Sequence, residues 1–346
     1  QGPPGTGKTT TLVSILEELS VKRTRTLVCA PSNKGIQVLA ARFHDRVPSA
    51  RMVLVGVADK IPPELKAVSL EGFCDDLQGR LTQIKRYIVL FDYKKNPKIA
   101  LAVLLGYIEA MTAMIGSIYK SCMDVEVGSQ KMKMAYNYSQ EILEAAMDRR
   151  TLPVPHTNIA LGVIFNQYPS FHTDFQNKVD MIEKNINTVM ESIKERKRDI
   201  EESLLENAQI IFCTLATSGN STLTYNHLQA SIDTLIIDEA SQCIEAEALI
   251  AFQHRPERVL LVGDTKQLPA TVISPQAKGG HFDWSMMWRL AEECRAPNCM
   301  ITEQYRMHPE ICQWPSRRFY QDQLVTAKSL NFHNTHATGL QRPYAF

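Results

Sequence analysis

Leu12, Ile15, Leu16 and Leu19 recur at helical spacing, so residues 9–19 predict a helix with one apolar face. Thr26 to Ala30 is a short apolar run that Pro31 ends, which predicts a buried strand. Asn33 to Phe43 returns to helical spacing, with Ile36, Leu39, Ala40 and Phe43 on one side, and Met52 to Val57 is another apolar run. The alternation stops near residue 60 and resumes at Gln209–Thr214, Thr234–Asp238 and Val259–Asp264. Each of these runs ends in a polar residue, as buried parallel strands with functional groups at their carboxyl ends do. The pattern predicts a parallel α/β sheet.

Residues 60–206 read as mostly helical. Val179, Ile182, Ile186, Val189, Ile193, Ile200 and Leu204 follow a 3,4 alternation and predict one long helix with an apolar stripe. That stripe suits a stalk packed on a partner helix and an amphipathic surface helix equally well. Ile99 to Tyr119 carries one charge, Glu109, over a length that suits a membrane span. A charge near the centre of a span is costly, and the segment lies between elements of one sheet. A buried helix of the insertion, with no membrane, is the expectation.

The 346 residues are enough for one large or two medium domains. A net charge of +1 gives no global sign of a polyanionic partner, so a nucleic-acid reading must rest on local motifs. The eight cysteines form no C-x-x-C pair, which removes the usual zinc spacing and leaves intracellular buried thiols as the reading.

Gly2-Pro3-Pro4-Gly5-Thr6-Gly7-Lys8-Thr9 fits G-x-x-x-x-G-K-[ST] at the head of the first helix, with Thr10 following. Its glycines let backbone N–H groups turn toward phosphate oxygens. Lys8 suits the β- and γ-phosphates of ATP, and the Thr9 hydroxyl suits Mg2+. A P-loop follows a strand, and the sequence starts one residue before this one, so the chain reads as a fragment lacking that strand. The P-loop is then expected to be unanchored on one side.

Asp238 and Glu239 end an apolar strand, and phosphoryl transfer to water needs one acid on Mg2+ and another to orient the water. A third strand ends in Gly263-Asp264-Thr265-Lys266-Gln267-Leu268-Pro269-Ala270, where Gln267 suits a γ-phosphate or the attacking water. In Glu303-Gln304-Tyr305-Arg306-Met307-His308-Pro309, Arg306 offers a charged fork and Tyr305 an aromatic face for a base. Taken singly, each of these reads as a structural loop residue.

In that order the four blocks resemble the superfamily 1 helicases of the 5′-to-3′ branch, which holds senataxin-like and nonsense-mediated-decay helicases. Thr26–Asn33, ending C-A-P-S-N, and Ile210–Thr214 look like two further motifs of that family. The resemblance implies the first RecA-like domain of a P-loop NTPase: an α/β fold with a parallel sheet flanked by helices. It implies ATP and Mg2+ as cofactors, with Gly2 through Thr10 and Tyr305 around the nucleotide and Thr9 and Asp238 on the metal. Lys8, Asp238, Glu239, Gln267 and Arg306 would be catalytic, and Pro31, Ser32, Asn33 and Thr214 would lie along single-stranded RNA or DNA. The implied activity is ATP hydrolysis driving translocation and 5′-to-3′ unwinding, in the nucleus or cytoplasm. The alternatives are a remodeller that does not unwind and an inactive scaffold.

The expected divisions are 1–58 and 207–325 for the two parts of the RecA-like domain, 59–206 for a helical insertion able to bind protein partners, and 326–346 for a tail. Family members often place a small β-barrel where this insertion lies. Only 37 residues follow Pro309, too few for a second RecA-like domain.

Overall fold

Five short strands line up as a single all-parallel sheet in the order β2-β3-β1-β4-β5. They are β1 (Thr26–Ala30), β2 (Met52–Leu54), β3 (Ile210–Thr214), β4 (Thr234–Ile237) and β5 (Arg258–Leu261). The computed structural model describes residues 1–56, 60–92, 96, 98–148, 159–224 and 231–330. Val57 and residues 331–346 of the expected tail lie outside the described residues. Two compact units divide the chain: Gln1–Leu65 with the chain from Ala208 onward, and Lys66–Asn207.

In the sheet unit, β1, β3 and β4 are buried at every position because helices cover both faces of a parallel sheet. The register sets Ala30 beside Thr214 and Cys29 beside both Cys213 and Ile237. Helix α1 (Lys8–Val21) buries Leu12, Val13 and Leu16, and α2 (Asn33–Arg46) buries Ile36, Leu39, Ala40 and Phe43. The run expected as a buried strand at 259–264 is only partly buried: Val259 is exposed in β5, while Gly263 and Asp264 beyond it are buried.

The second unit is helical among its described residues: α3 (Phe73–Leu90), α4 (Leu101–Asp124), α5 (Ser129–Met147), α6 (Leu161–Gln167), α7 (Pro169–Glu195) and α8 (Lys197–Asn207). The long helix expected across 179–204 is two helices, divided at Arg196. Between Ile193 and Ile200 the chain reads Lys194-Glu195-Arg196-Lys197-Arg198-Asp199, all exposed, so no apolar contact holds the helix straight there. Val179, Ile182, Ile186, Val189 and Ile193 are buried inside the unit's own core, so the stripe is used internally. Helix α4 is long and apolar enough to cross a membrane by length and composition. Its Leu104, Ile108, Met111, Ile115 and Ile118 are fully buried in that same core.

After β3 come α9 (Leu215–Ser218) and α10 (Ser221–Thr224), and after β4 comes α11 (Glu245–Phe252). Beyond β5 lie α12 (Pro275–Gly279), α13 (Met286–Trp288), β6 (Glu303–Gln304), α14 (Pro309–Phe319) and β7 (Val325–Thr326), with β6 and β7 paired in parallel.

Candidate nucleotide and strand site

The loop before α1 is shaped by local chemistry. Gly5 and Gly7 adopt left-handed backbone angles, φ +76° and +78°, which residues with a Cβ rarely take. Thr6 closes the turn, its hydroxyl donating to the Pro3 carbonyl at 2.7 Å. Gly7 is the N-cap of α1 and brings no side chain to cap it. The first-turn N–H groups therefore face an acceptor from outside the helix, and a helix N-terminus attracts anions. Lys8 folds back so that Nζ donates to the Gly2 carbonyl at 2.8 Å.

The loop is fastened on two sides, contrary to the expectation of a free side. The Gly2 N–H donates to the Gly263 carbonyl at 2.8 Å, beyond the end of β5. The Ile301 N–H donates to the Gln1 carbonyl at 2.9 Å. On the far side, the Tyr305 N–H donates to the Gly5 carbonyl at 2.8 Å.

Asp238 follows β4, and its N–H extends the ladder by donating to the Cys29 carbonyl at 2.8 Å. Its carboxylate is 7% exposed, and Oδ1 accepts from the Glu239 N–H at 2.9 Å. Burial, then the neighbouring Glu239 charge, raises the Asp238 carboxyl from 3.8 to about 6, against the opposing pull of that N–H and of Lys8. Glu239 sits at φ +52°, and Gln242 Nε2 donates to its Oε2 at 3.1 Å. The left-handed residue turns the chain sharply out of β4, and the Ala240 N–H then reaches the Val262 carbonyl at 2.8 Å.

Gln267 is half-buried and donates through Nε2 to Asp264 Oδ2 at 2.8 Å. Arg306 and Tyr305 are exposed, and the Tyr305 hydroxyl donates to Glu303 Oε2 at 2.8 Å. Thus the P-loop, the Gln267 loop and the Tyr305-Arg306 turn are joined by direct bonds, and Asp238-Glu239 connects to them through β4 and β5. The residues expected along a strand form a second group. Ser32 caps α2 by accepting from the Gly35 N–H at 3.0 Å, with Pro31 beside it and Asn33 exposed in the first turn. Thr214 Oγ1 accepts from the Thr217 N–H at 3.2 Å on the adjacent strand.

The cradle suits a Mg-nucleotide. Among the described residues neither Asp238 Oδ2 nor Thr9 Oγ1 has a hydrogen-bond partner, so both oxygens are open to a hard cation.

Two buried side chains were not singled out from the sequence. Asp264, 1% exposed, accepts from Gln1 Nε2 at 2.9 Å, the Lys266 N–H at 3.1 Å, Gln267 Nε2 and the Tyr320 hydroxyl at 2.7 Å. Gln304, 0% exposed, accepts from the Arg306 and Met307 N–H groups and donates to the Met307 carbonyl and Thr326 Oγ1, fixing the Arg306 turn. Their local signal is only a polar residue inside a motif, because their partners are distant in sequence.

The family described as "AAA domain" matches residues 1–275, and a second family of the same description matches residues 282–346. Helicase sen1 of Schizosaccharomyces pombe is 24% identical over 351 residues, covering 94% of this chain and 19% of that protein. Helicase SEN1 of Saccharomyces cerevisiae is 27% identical over 386 residues, covering all of this chain and 15% of that protein. DNA-binding protein SMUBP-2 of Mesocricetus auratus is 25% identical over 337 residues, covering 96% of this chain and 26% of that protein. The chain spans a quarter or less of most of these relatives.

Proposed function

The chain belongs to the AAA domain family, as a Sen1-like superfamily 1 helicase domain, and from that premise we propose that it is the ATP-hydrolysing part of a motor that moves along single-stranded RNA or DNA. The observation that carries this reading is the bonded set Gly2–Gly263 and Gly5–Tyr305, which draws the Gln267 loop and the Arg306 turn onto the P-loop.

In this reading the glycine loop and α1 hold the phosphates, and Lys8 exchanges the Gly2 carbonyl for a phosphate oxygen. Thr9 and Asp238 would hold Mg2+, which would supply charge neutralisation at the phosphates. Glu239 orients the attacking water and takes its proton, helped by a position half-open to solvent. Gln267 and Arg306 contact the terminal phosphate, while Tyr305 offers its exposed ring to the base. Pro31, Ser32, Asn33 and Thr214 lie along the strand and grip it chiefly by its backbone, which gives little sequence preference. The eight thiols are free, in keeping with an intracellular setting, nuclear or cytoplasmic. A second RecA-like domain would close the cleft, and the helical insertion would bind protein partners.

The test is ATP hydrolysis with and without RNA or DNA oligomers, followed by strand displacement. Stimulation without displacement would favour remodelling over unwinding. Nucleotide binding with no turnover under any condition would favour a scaffold and sink the proposal.

A further inference from the structure

Tyr320 follows α14 directly and is 4% exposed, yet it ends in a polar group that a buried side chain must satisfy. Its hydroxyl donates to Asp264 Oδ2 at 2.7 Å. Gln267 Nε2 donates to that same oxygen at 2.8 Å, while Gln1 and the Lys266 N–H occupy Oδ1. A carboxylate only accepts, so both groups on Oδ2 are held as donors. Burial, reinforced by Asp264, also raises the Tyr320 hydroxyl well above its usual range, which keeps its proton in place.

Two donors on one buried oxygen differ in what they are free to do. Tyr320 is locked between α14 and the chain that follows it: its N–H donates to the Ser316 carbonyl at 2.9 Å and the Gln323 N–H donates to its carbonyl at 3.0 Å. Gln267 is tied through its backbone as well, its N–H donating to the Asp264 carbonyl at 3.1 Å, but its side chain is only half-buried, which leaves it room to turn away. If it were the sole partner of Oδ2, its departure would leave half of a buried carboxylate unsatisfied, a heavy cost. With Tyr320 in place, that oxygen keeps a hydrogen bond after Gln267 leaves.

We propose that Tyr320 is a positioning residue for Gln267, acting through Asp264: its hydroxyl satisfies Oδ2 while Gln267 turns to the third phosphate, so that the site prefers a nucleoside triphosphate to a diphosphate. The proposal rests on the reading of Gln267 as a terminal-phosphate contact given above. It also assigns a mechanical link. The segment that begins at Arg306 returns through α14 to the Gln267 loop, so both groups aimed at the terminal phosphate share one rigid connection.

The experiment compares this chain with Y320F, which removes one oxygen and no bulk. Affinities for Mg-ADP and for a Mg-bound non-hydrolysable ATP analogue are measured by titration, with thermal melts of both chains. Y320F is expected to lower the preference for the triphosphate analogue about 3- to 10-fold and to leave Mg-ADP affinity unchanged. Adding Y320F to Gln267→Ala is expected to lower the preference no further than Gln267→Ala alone, since Tyr320 acts only through Gln267. Equal weakening of both nucleotides, or loss of the thermal transition, assigns the hydroxyl to folding alone and overturns the proposal. A parent chain that prefers the triphosphate, with Y320F keeping that preference, also overturns it and leaves the reading of the site intact. A parent chain that binds neither nucleotide, or both equally, sinks that reading and the proposal together.

Discussion

The Tyr305 N–H donates to the Gly5 carbonyl at 2.8 Å, and a Cβ on Gly5 would stand 2.5 Å from the Cβ of Arg306. The glycine loop before α1 and the turn that carries Arg306 are therefore closely packed.

Gly5→Ala tests that contact. The new methyl meets Arg306 from a backbone angle of φ +76°, where an L-residue is strained by roughly 1–2 kcal/mol before the clash is counted. A lower melting temperature and at least about tenfold weaker Mg-nucleotide binding are expected, the latter from displacing N–H groups off the phosphates. Unchanged affinity would show that the turn yields freely.

Asp238 predicts a pH dependence. Its carboxyl holds its proton more tightly when folded, up to about 6 from 3.8. The resulting stability is full below pH ~3.8 and is lost as pH rises through about 6. The loss amounts to about 3 kcal/mol at most, from a shift of roughly two units. Asp238→Asn, which has no proton to lose, should gain stability relative to the parent between pH 4 and 7 in nucleotide-free denaturation. Parallel pH profiles would contradict the buried-acid account. Magnesium needs the ionised form, so Mg-nucleotide affinity of the parent should rise with pH across the same window.

Ser32 and Thr214 each cap a helix at the end of adjacent strands. Ser32→Ala should cost about 1 kcal/mol of stability through the lost cap. With Asn33→Ala it should also weaken single-strand binding, measured by fluorescence anisotropy, while nucleotide affinity stays within about twofold. Affinity for the strand should fall with rising salt, since contacts to phosphates release counterions. Strand binding unaffected by either change would place the track elsewhere.

In the helical unit, Ile186 is fully buried in the core that also holds Val179, Ile182 and Val189. Ile186→Ala is expected to cost about 2–5 kcal/mol in denaturant unfolding. A cost under about 1 kcal/mol would mean that this stripe faces solvent and awaits an outside partner.

The phosphate cradle, the paired acids and the strands leading to them were legible because each depends on residues adjacent in sequence. A P-loop needs glycines and a helix start within a few positions, and the chain supplies both. Asp264 and Tyr320 were not legible, since their bond spans 56 residues and each looks polar and exposed when read alone. Gln304 was hidden for the same reason, with a partner in Thr326. The break at Arg196 escaped because the 3,4 spacing continues across it to Ile200, while the charged residues between have nothing to pack on.

Cys29 and Cys213 lie side by side in the sheet although 184 residues separate them along the chain. Joining β1 to β3 therefore encloses the whole helical unit within one loop, and closing a loop of that length through disordered chain is entropically slow. The helical unit is a compact body with its own core, so once it has folded most of that loop is no longer disordered chain. An order with the insertion first would close the β1–β3 seam afterwards, and only then the ends of those strands, where Ser32 and Thr214 stand. The Ser32 and Thr214 caps would then be the last part of this molecule to exist, and the first that a slow or interrupted folding would leave unmade.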